Sequence, residues 1–331
     1  VPRTAVDCKG ANRCASGCPT GAKRGVGRTL IPKAEAAGAV LLSSCRVLML
    51  LHQGGRISGV LAERTRPDGY RDILRIDADT VFVACGATQT PALLRRSGIK
   101  RNVGNSLRIH PMIKVAARFP EPMAAEQSVL PLVQVKGFGP DGTLGGAFFS
   151  PGHLAMILSE NWPSNRGEMC ASGYMATYYV AVRGTGRGSV RPAVLSDTGT
   201  TVRYNLSRAD LWGLSEGLAR LSQLLLSVGA EAVYPGVHGV PCISDGAEAN
   251  RWMTTPLSKN AVSLTTVHAF SSCPSGERPE RCATDSYGKV HRFENLYLND
   301  ASILPDSPGV NPQGTIMALA RRNALHYAER T

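Results

Sequence analysis

Leu211, Leu214, Leu218, Leu221, Leu225 and Val228 recur at three- and four-residue spacing, a periodicity that predicts an amphipathic packing helix over residues 209–228. Ser207 and Asp210 form a capping pair ahead of it, and Gly229 marks its stop. Shorter apolar runs predict strands. Residues 47–51 and 57–63 flank His52-Gln53-Gly54-Gly55, the pattern of a hairpin, and residues 73–76 and 80–84 continue as strands. Gly86 follows the last of these, where a residue without a side chain lets backbone approach a ligand, and Thr90-Pro91 opens a short helix. Further strands are expected at 174–182 and 202–205, and a helix at 30–37 ended by Gly38.

The C-terminal pattern differs from these in carrying chemistry as well as packing. A short β-like run at 295–298 feeds a Pro/Gly-rich turn, and Ile316, Leu319, Ala320 and Asn323 then follow at helical spacing. Asn311 stands where an N-cap belongs and Pro312 takes the first helical position, which proline tolerates. Free backbone N–H groups and the positive end of the helix dipole would converge just before Asn311, a setting that suits an anionic oxygen.

Composition narrows the class. With 43% apolar residues over 331 positions, the chain can build a core of one large or two ordinary domains. The best apolar run, 40–51, is broken by Ser43, Ser44 and Arg46, so no spanning helix is expected and the chain reads as soluble, cytoplasmic or peripheral to a membrane. A net charge of +12 would steer acidic partners or lipid head groups. The basic block at 1–33 comes without zinc-finger spacing or aromatic-rich basic repeats, which argues against nucleic acid and for a solvated face. From His110 onward the composition turns irregular and rich in Pro, Gly and Met, the reading of a second, substrate-facing domain.

Gly137-Phe138-Gly139-Pro140-Asp141-Gly142 has the glycine spacing of a dinucleotide-binding turn. No helix pattern follows it, so no dipole end would meet a pyrophosphate, and Pro140-Asp141-Gly142 reads as an ordinary turn.

Two separated segments, residues 299–323 and Thr266-Val267-His268-Ala269-Phe270-Ser271-Ser272-Cys273-Pro274, together resemble the C-terminal signature and active-site histidine segment of the glucose-methanol-choline (GMC) family of flavin oxidoreductases. Val83-Ala84-Cys85-Gly86-Ala87 with Thr90-Pro91 and Ser97-Gly98, and Gly104-Asn105 with His110-Pro111, resemble the family's central block. The resemblance implies FAD as cofactor, with Gly86, Asp300, Ala301, Asn311, Pro312 and Gln313 along the flavin. It also implies oxidation of a CH–OH group, with His268 as base or hydroxyl-positioning residue and Asn311 as its amide partner on the substrate oxygen. Judged alone, His268 is better explained by a satisfied core histidine and Asn311 by a helix cap; the joint match reverses both in favour of the functional roles. Imidazole suits the task because its ordinary pKa lies near neutrality. His110 resembles a structural histidine of the family and is left outside the chemistry. The family's N-terminal glycine fingerprint is absent, and the chain opens on Val1 inside a family block, so it reads as a fragment or processed chain.

Cys8, Cys14 and Cys18 are spaced C-x5-C-x3-C before Pro19 and Gly21-Ala22-Lys23. This resembles the loop that holds a three-iron (3Fe-4S) cluster in FAD-dependent sugar dehydrogenases of the family, although related loops occur in its long-chain alcohol and sterol oxidases, where no cluster is implied. Buried or disulfide-bonded cysteines are the alternative, and structural zinc would need a fourth ligand such as His52 or Cys45 folding back. Cys273 and Cys282 flank a turn and would pair in an oxidising compartment. The fold expected is α/β (α+β): a discontinuous FAD-binding domain at 1–109 and 258–331, lacking its N-terminal dinucleotide-binding part, around an antiparallel-sheet substrate domain at 110–257. The expected function is FAD-dependent oxidation of an alcohol, a lipophilic alcohol or sterol ahead of a sugar or polyol, with oxygen or a cytochrome or other redox protein taking the electrons. The alternative is a non-catalytic, cysteine-liganded iron–sulfur electron-transfer or interaction subunit.

Overall fold

The computed structural model describes residues 4–11, 13–14, 17–127, 133–136, 142–194, 196 and 199–330. Residues 137–141 of the Gly-spaced turn lie outside the described residues. Among the described residues, the α-helices of eight residues or more are α1 (Val26–Ala36), α2 (Gly86–Arg96), α3 (Pro151–Leu158), α4 (Arg208–Ser227) and α5 (Gln313–Ala328). The chain divides into two discontinuous units. One comprises Val1–Leu41, Pro111–Val182 and Arg208–Thr265, the other Leu42–His110, Arg183–Ser207 and Thr266–Thr331.

The first unit is built on an antiparallel sheet in the order Ala232–Tyr234, Met112–Arg118, Met175–Val182, Gly142–Gly146, Gln134–Val135, with Leu264–Thr265 also paired to Met112–Arg118. Register pairs Ile113 with Val180 and Val115 with Tyr178, so alternate residues share one face. The predicted helix forms as α4 and lays Leu214, Leu218, Leu221 and Leu225 in the same core cluster as Ile113, Val115, Val180 and Val182. Each such leucine contributes about 1.5–3 kcal/mol through removal from water. Two glycines let the helix approach the sheet. A Cβ at Gly217 would stand 2.4 Å from Val180 Cγ1, and one at Gly213 would stand 3.2 Å from Val182 Cγ1. The helix stops at Gly229, which adopts φ +98° and whose N–H bonds Leu226 O.

The second unit holds the expected hairpin. Cys45–Gln53, Arg56–Thr65 and Arg71–Asp77 form an antiparallel three-stranded sheet. Gln53 pairs with Arg56, which leaves only Gly54 and Gly55 as the turn, at φ +57° and +85°. Two positive φ values in a two-residue loop match the twist of the flanking strands. Val81–Val83 pairs in parallel with Leu296–Leu298, and Val83, Leu296 and Leu298 are buried with Leu93 and Leu94 of α2.

Two helix starts differ from expectation. α2 begins at Gly86 rather than at Thr90-Pro91, and Pro91 sits inside it. Proline has no N–H, so Ala87 O loses its helical donor; Ser272 Oγ supplies the replacement at 2.6 Å. Thr90 serves the turn before the helix by accepting from Cys85 N at 3.1 Å. α5 begins at Gln313 with Pro312 at its boundary and no side-chain cap. Asn311 therefore does not cap the helix as expected; the ladder starts when Ile316 N donates to Pro312 O at 2.9 Å.

Candidate active site

The register of one short antiparallel pair organises the centre of the second unit. Arg108–Ile109 pairs with Ala269–Phe270, Ile109 opposite Ala269, and one further step along this ladder sets His110 opposite His268. Their Nδ1 atoms lie 3.0 Å apart and their rings meet edge-on, with centroids 5.1 Å apart. Phe270 packs against the His110 ring at 4.9 Å. His110 Nε2 lies 2.7 Å from Pro308 O.

The His268 segment is held on both sides. Thr266 Oγ1 accepts from His268 N at 3.1 Å and donates to His268 O at 3.0 Å. Ser271 adopts φ +62°, a conformation costly for a residue with a Cβ. Its N–H bonds Ala301 O at 3.1 Å and its O accepts from Ser106 Oγ at 2.6 Å, so bonds to two other segments fix the strained turn. Burial first, and His110 second, push the His268 imidazole down from its usual pKa to about 4. His268 is thus neutral over the physiological range.

The residues after Leu298 form the second half of the site. Asp300 is saturated with protein donors. Its Oδ2 accepts from Gly86 N at 2.8 Å and from the Thr90 hydroxyl, and its Oδ1 accepts from Ser302 N at 2.7 Å. The carboxylate thereby ties the start of α2 to the turn after Leu296–Leu298, and what it can offer a ligand is backbone. Ala301 packs with Ala87, Leu107 and Val190. Beyond it, side chains from elsewhere in the unit hold the 306–308 turn: Arg108 ion-pairs with Asp306 at 3.2 Å, Arg183 Nε donates to Ser307 O at 2.8 Å, and His110 reaches Pro308 O.

Asn311 follows this anchored turn. It is exposed, and its amide makes no hydrogen bond among the described residues, either to His268 or to α5. Pro312 is buried and Gln313 exposed. At the far end, Asn323 Nδ2 donates to Asn299 Oδ1 at 3.2 Å and Asn299 Nδ2 to Ala320 O at 3.1 Å, so residues 299–323 close on themselves. Gly86 adopts φ +82°, and a Cβ built there or at Gly314 would meet nothing within 4 Å. Both backbones face open space.

The cysteine motif does not assemble. Among the described residues no three His, Cys, Asp or Glu side chains, Cys8, Cys14 and Cys18 included, are gathered as a metal ion requires. The reason is local bonding. Cys18 Sγ accepts from Lys23 N at 3.4 Å and pairs with Thr20 Oγ1 at 3.6 Å, while Cys8 is exposed. Bonds from Lys23, then Thr20, lower the half-buried Cys18 thiol to about 7. Cys273 and Cys282 are free thiols rather than the expected pair. Cys273 is buried in the core with Leu93 and Ile303, and burial pushes its thiol up to about 12.

Sequence reasoning missed His110 as a partner of His268, and it missed Arg108 and Arg183 as anchors of the turn before Asn311. The usable signal was the pair His110-Pro111 beside an apolar run. Only strand register shows what His110 faces.

Comparison with known proteins identifies the family. N- and C-terminal GMC oxidoreductase family models match residues 1–112 and 185–320. A GMC-type oxidoreductase of Sinorhizobium fredii is 42% identical over 319 residues, covering 96% of this chain and 63% of its own length. A long-chain-alcohol oxidase of Arabidopsis thaliana is 29% identical over 363 residues, covering 97% of this chain and 46% of its own length. The chain thus spans about half to two-thirds of the length of these relatives. The solved structure of a pyridoxine 4-oxidase from Mesorbium loti superposes with a TM-score of 0.62 at 19% identity, over 86% of this chain and 57% of that one, a likeness of fold. Matched by family models at both ends and by a relative along nearly its whole length, the chain belongs to the GMC oxidoreductase family.

Proposed function

We propose that the chain carries the catalytic and flavin-facing residues of an FAD-dependent oxidoreductase that converts a CH–OH group to a carbonyl. The observation that carries this reading is the His268 centre: a neutral imidazole held by a second imidazole, in the same unit as an amide, Asn311, that makes no hydrogen bond among the described residues. Family membership implies FAD, and the residues fit it. Gly86 and Gly314 present backbone with open space where side chains would stand, and the uncapped start of α5 directs free N–H groups outward. Gly86, Ala301, Asn311, Pro312 and Gln313 would hold the ring and its ribityl chain, Asp300 acting through its backbone. Bound FAD supplies a two-electron acceptor for the carbinol hydride.

The chain's own residues would do the rest. His268 accepts the hydroxyl proton, and its depressed pKa keeps it ready to do so across the physiological range. The Asn311 amide donates to the substrate oxygen and orients it. The dipole at the start of α5 favours negative charge on the nearby ring.

A lipophilic alcohol suits the first unit better than a sugar. A cavity of about 440 Å³ there is lined by Leu144, Phe149, Tyr178, Leu221 and Leu225, with few polar groups. The likeness to long-chain-alcohol oxidases of Arabidopsis thaliana supports the same class, and supports oxygen as acceptor. The iron–sulfur subunit has no such support.

The test is a visible spectrum of the 331-residue chain, and of a form extended to the length of its relatives, after loading with FAD. Anaerobic addition of a long-chain alcohol should bleach the flavin at lower concentration than glucose does. A bound flavin that no alcohol bleaches would refute the assignment, and selective bleaching by sugars would overturn the substrate class.

A further inference from the structure

We infer that His110 is a positioning residue that fixes the proton of His268 on Nδ1, leaves Nε2 as the open lone pair, and couples that nitrogen to the turn presenting Asn311. The inference rests on the reading of His268 as the base. It is carried by two contacts of one ring. His110 Nε2 lies 2.7 Å from Pro308 O, and a backbone carbonyl can only accept, so Nε2 carries the proton. A neutral imidazole protonated on Nε2 offers a bare lone pair at Nδ1. The neighbour of that lone pair is His268 Nδ1 at 3.0 Å, which must therefore donate. The proton of His268 is then on Nδ1, and Nε2 is the atom left to receive the substrate's proton.

During turnover the O–H bond of the substrate breaks and an N–H bond forms at His268 Nε2. His268 Nδ1–H remains donated to His110, so no proton has to leave through the second ring. A carboxylate in the place of His110 would fix the same tautomer but would add a negative charge and raise the pKa of His268. A second imidazole orients without that charge. The far end of the same ring holds Pro308, three residues before Asn311, in the 306–308 turn that Arg183 also grips through Ser307 O. One side chain thus sets both the direction of the base and the seat of the amide.

The ring is buried, and edge-on packing with Phe270 keeps it from rotating out of this arrangement. The sequence feature behind it, His110-Pro111, explains why the backbone there stays extended rather than helical.

The experiment is a long-range proton–nitrogen correlation spectrum of the chain labelled at its seven histidines, with the His268 signals assigned by their loss in His268→Asn. At pH 7 the wild type should show His268 protonated at Nδ1 and bare at Nε2. His110→Phe, which keeps the ring volume but has no nitrogen, should return His268 to a mixture of tautomers. It should also slow alcohol-driven flavin reduction by about 10-fold or more through the lost orientation, mainly in kcat rather than KM. His110→Gln, which retains a donor and an acceptor, should restore part of both. A wild-type His268 protonated at Nε2 overturns the proposal, as does a folded His110→Phe with an unchanged His268 pattern. Should His110→Phe fail to fold, the wild-type spectrum and His110→Gln decide. The expected tautomer in a flavin-loaded protein that no alcohol reduces would refute the role of His268 as base while leaving the orienting role of His110 standing.

Discussion

The histidine centre and the cysteine loop make opposite use of reactive side chains. At the centre, His110, His268 and the 306–308 turn come from three distant segments, and the contacts that bring them together each join one segment to another. In the loop, the bonds of Cys18 among the described residues run to Thr20 and Lys23, within five residues. Convergence at the first place follows from a strand register fixed elsewhere. At the second, spacing along the chain gives reach without direction. Reactive side chains meet when the backbones that carry them are paired, and a motif alone does not pair them.

The contrast can be broken most sharply at the base. His268→Ala should lower alcohol-driven flavin reduction by about 10²–10⁴-fold, the usual contribution of a positioned general base, with folding intact by circular dichroism. Asn311→Ala comes next. Loss of one donor to the reacting oxygen should cost about 10²–10³-fold in flavin reduction. Because α5 has no side-chain cap, the same variant should leave the denaturant midpoint almost unchanged, whereas loss of a true cap would cost about 1 kcal/mol.

Asp300→Ala should act on stability first. It leaves the N–H groups of Gly86 and Ser302 and the Thr90 hydroxyl without their acceptor, at about 1–3 kcal/mol in urea unfolding. Acid should be the next strongest perturbation. The folded pKa of His268 is lowered to about 4 from the usual 6.5, so below 6.5 the unfolded chain binds a proton that the folded chain refuses. Its contribution to stability is full above pH 6.5 and is lost as the pH falls toward 4. The difference in urea midpoint between pH 7 and pH 5 should shrink in His268→Asn; an unchanged difference would assign the acid sensitivity to other groups.

The smallest effects belong to the loop. Cys14→Ser and Cys18→Ser should each change stability by no more than about 0.5 kcal/mol. Iodoacetamide at neutral pH should label Cys18, whose thiol is lowered to about 7, well before the buried Cys273, pushed up to about 12. Iron bound in proportion to protein, and lost in Cys14→Ser, would restore the loop as a metal site.

How much of this was legible depended on the range of the physics involved. The helix at 209–228 could be read because its leucine stripe is a local periodicity, and the hairpin because Gly54-Gly55 suits a turn that few other residues can make. The roles of His268 and Asn311 came from their place in family-like segments, and the sequence set them as candidates without saying what they touch. The start of α2 was displaced because Ser272, 185 residues away, supplies the donor that Pro91 lacks. His110 was passed over for the same kind of reason. Its meaning lies in the pairing of two two-residue strands far apart in sequence, which no local pattern announces. The cysteine spacing permits a cluster, but spacing along the chain does not set where the thiols point, and among the described residues they are not gathered.

The most direct measurement is anaerobic stopped-flow reduction of the flavin-loaded protein by a long-chain primary alcohol, with hydrogen or deuterium on the carbinol carbon, in wild type and in His268→Ala. The account predicts fast bleaching in the wild type that deuterium slows, and reduction in His268→Ala slower by at least about 100-fold. Equal rates in the two proteins would contradict it, because the alcohol proton would then leave without His268.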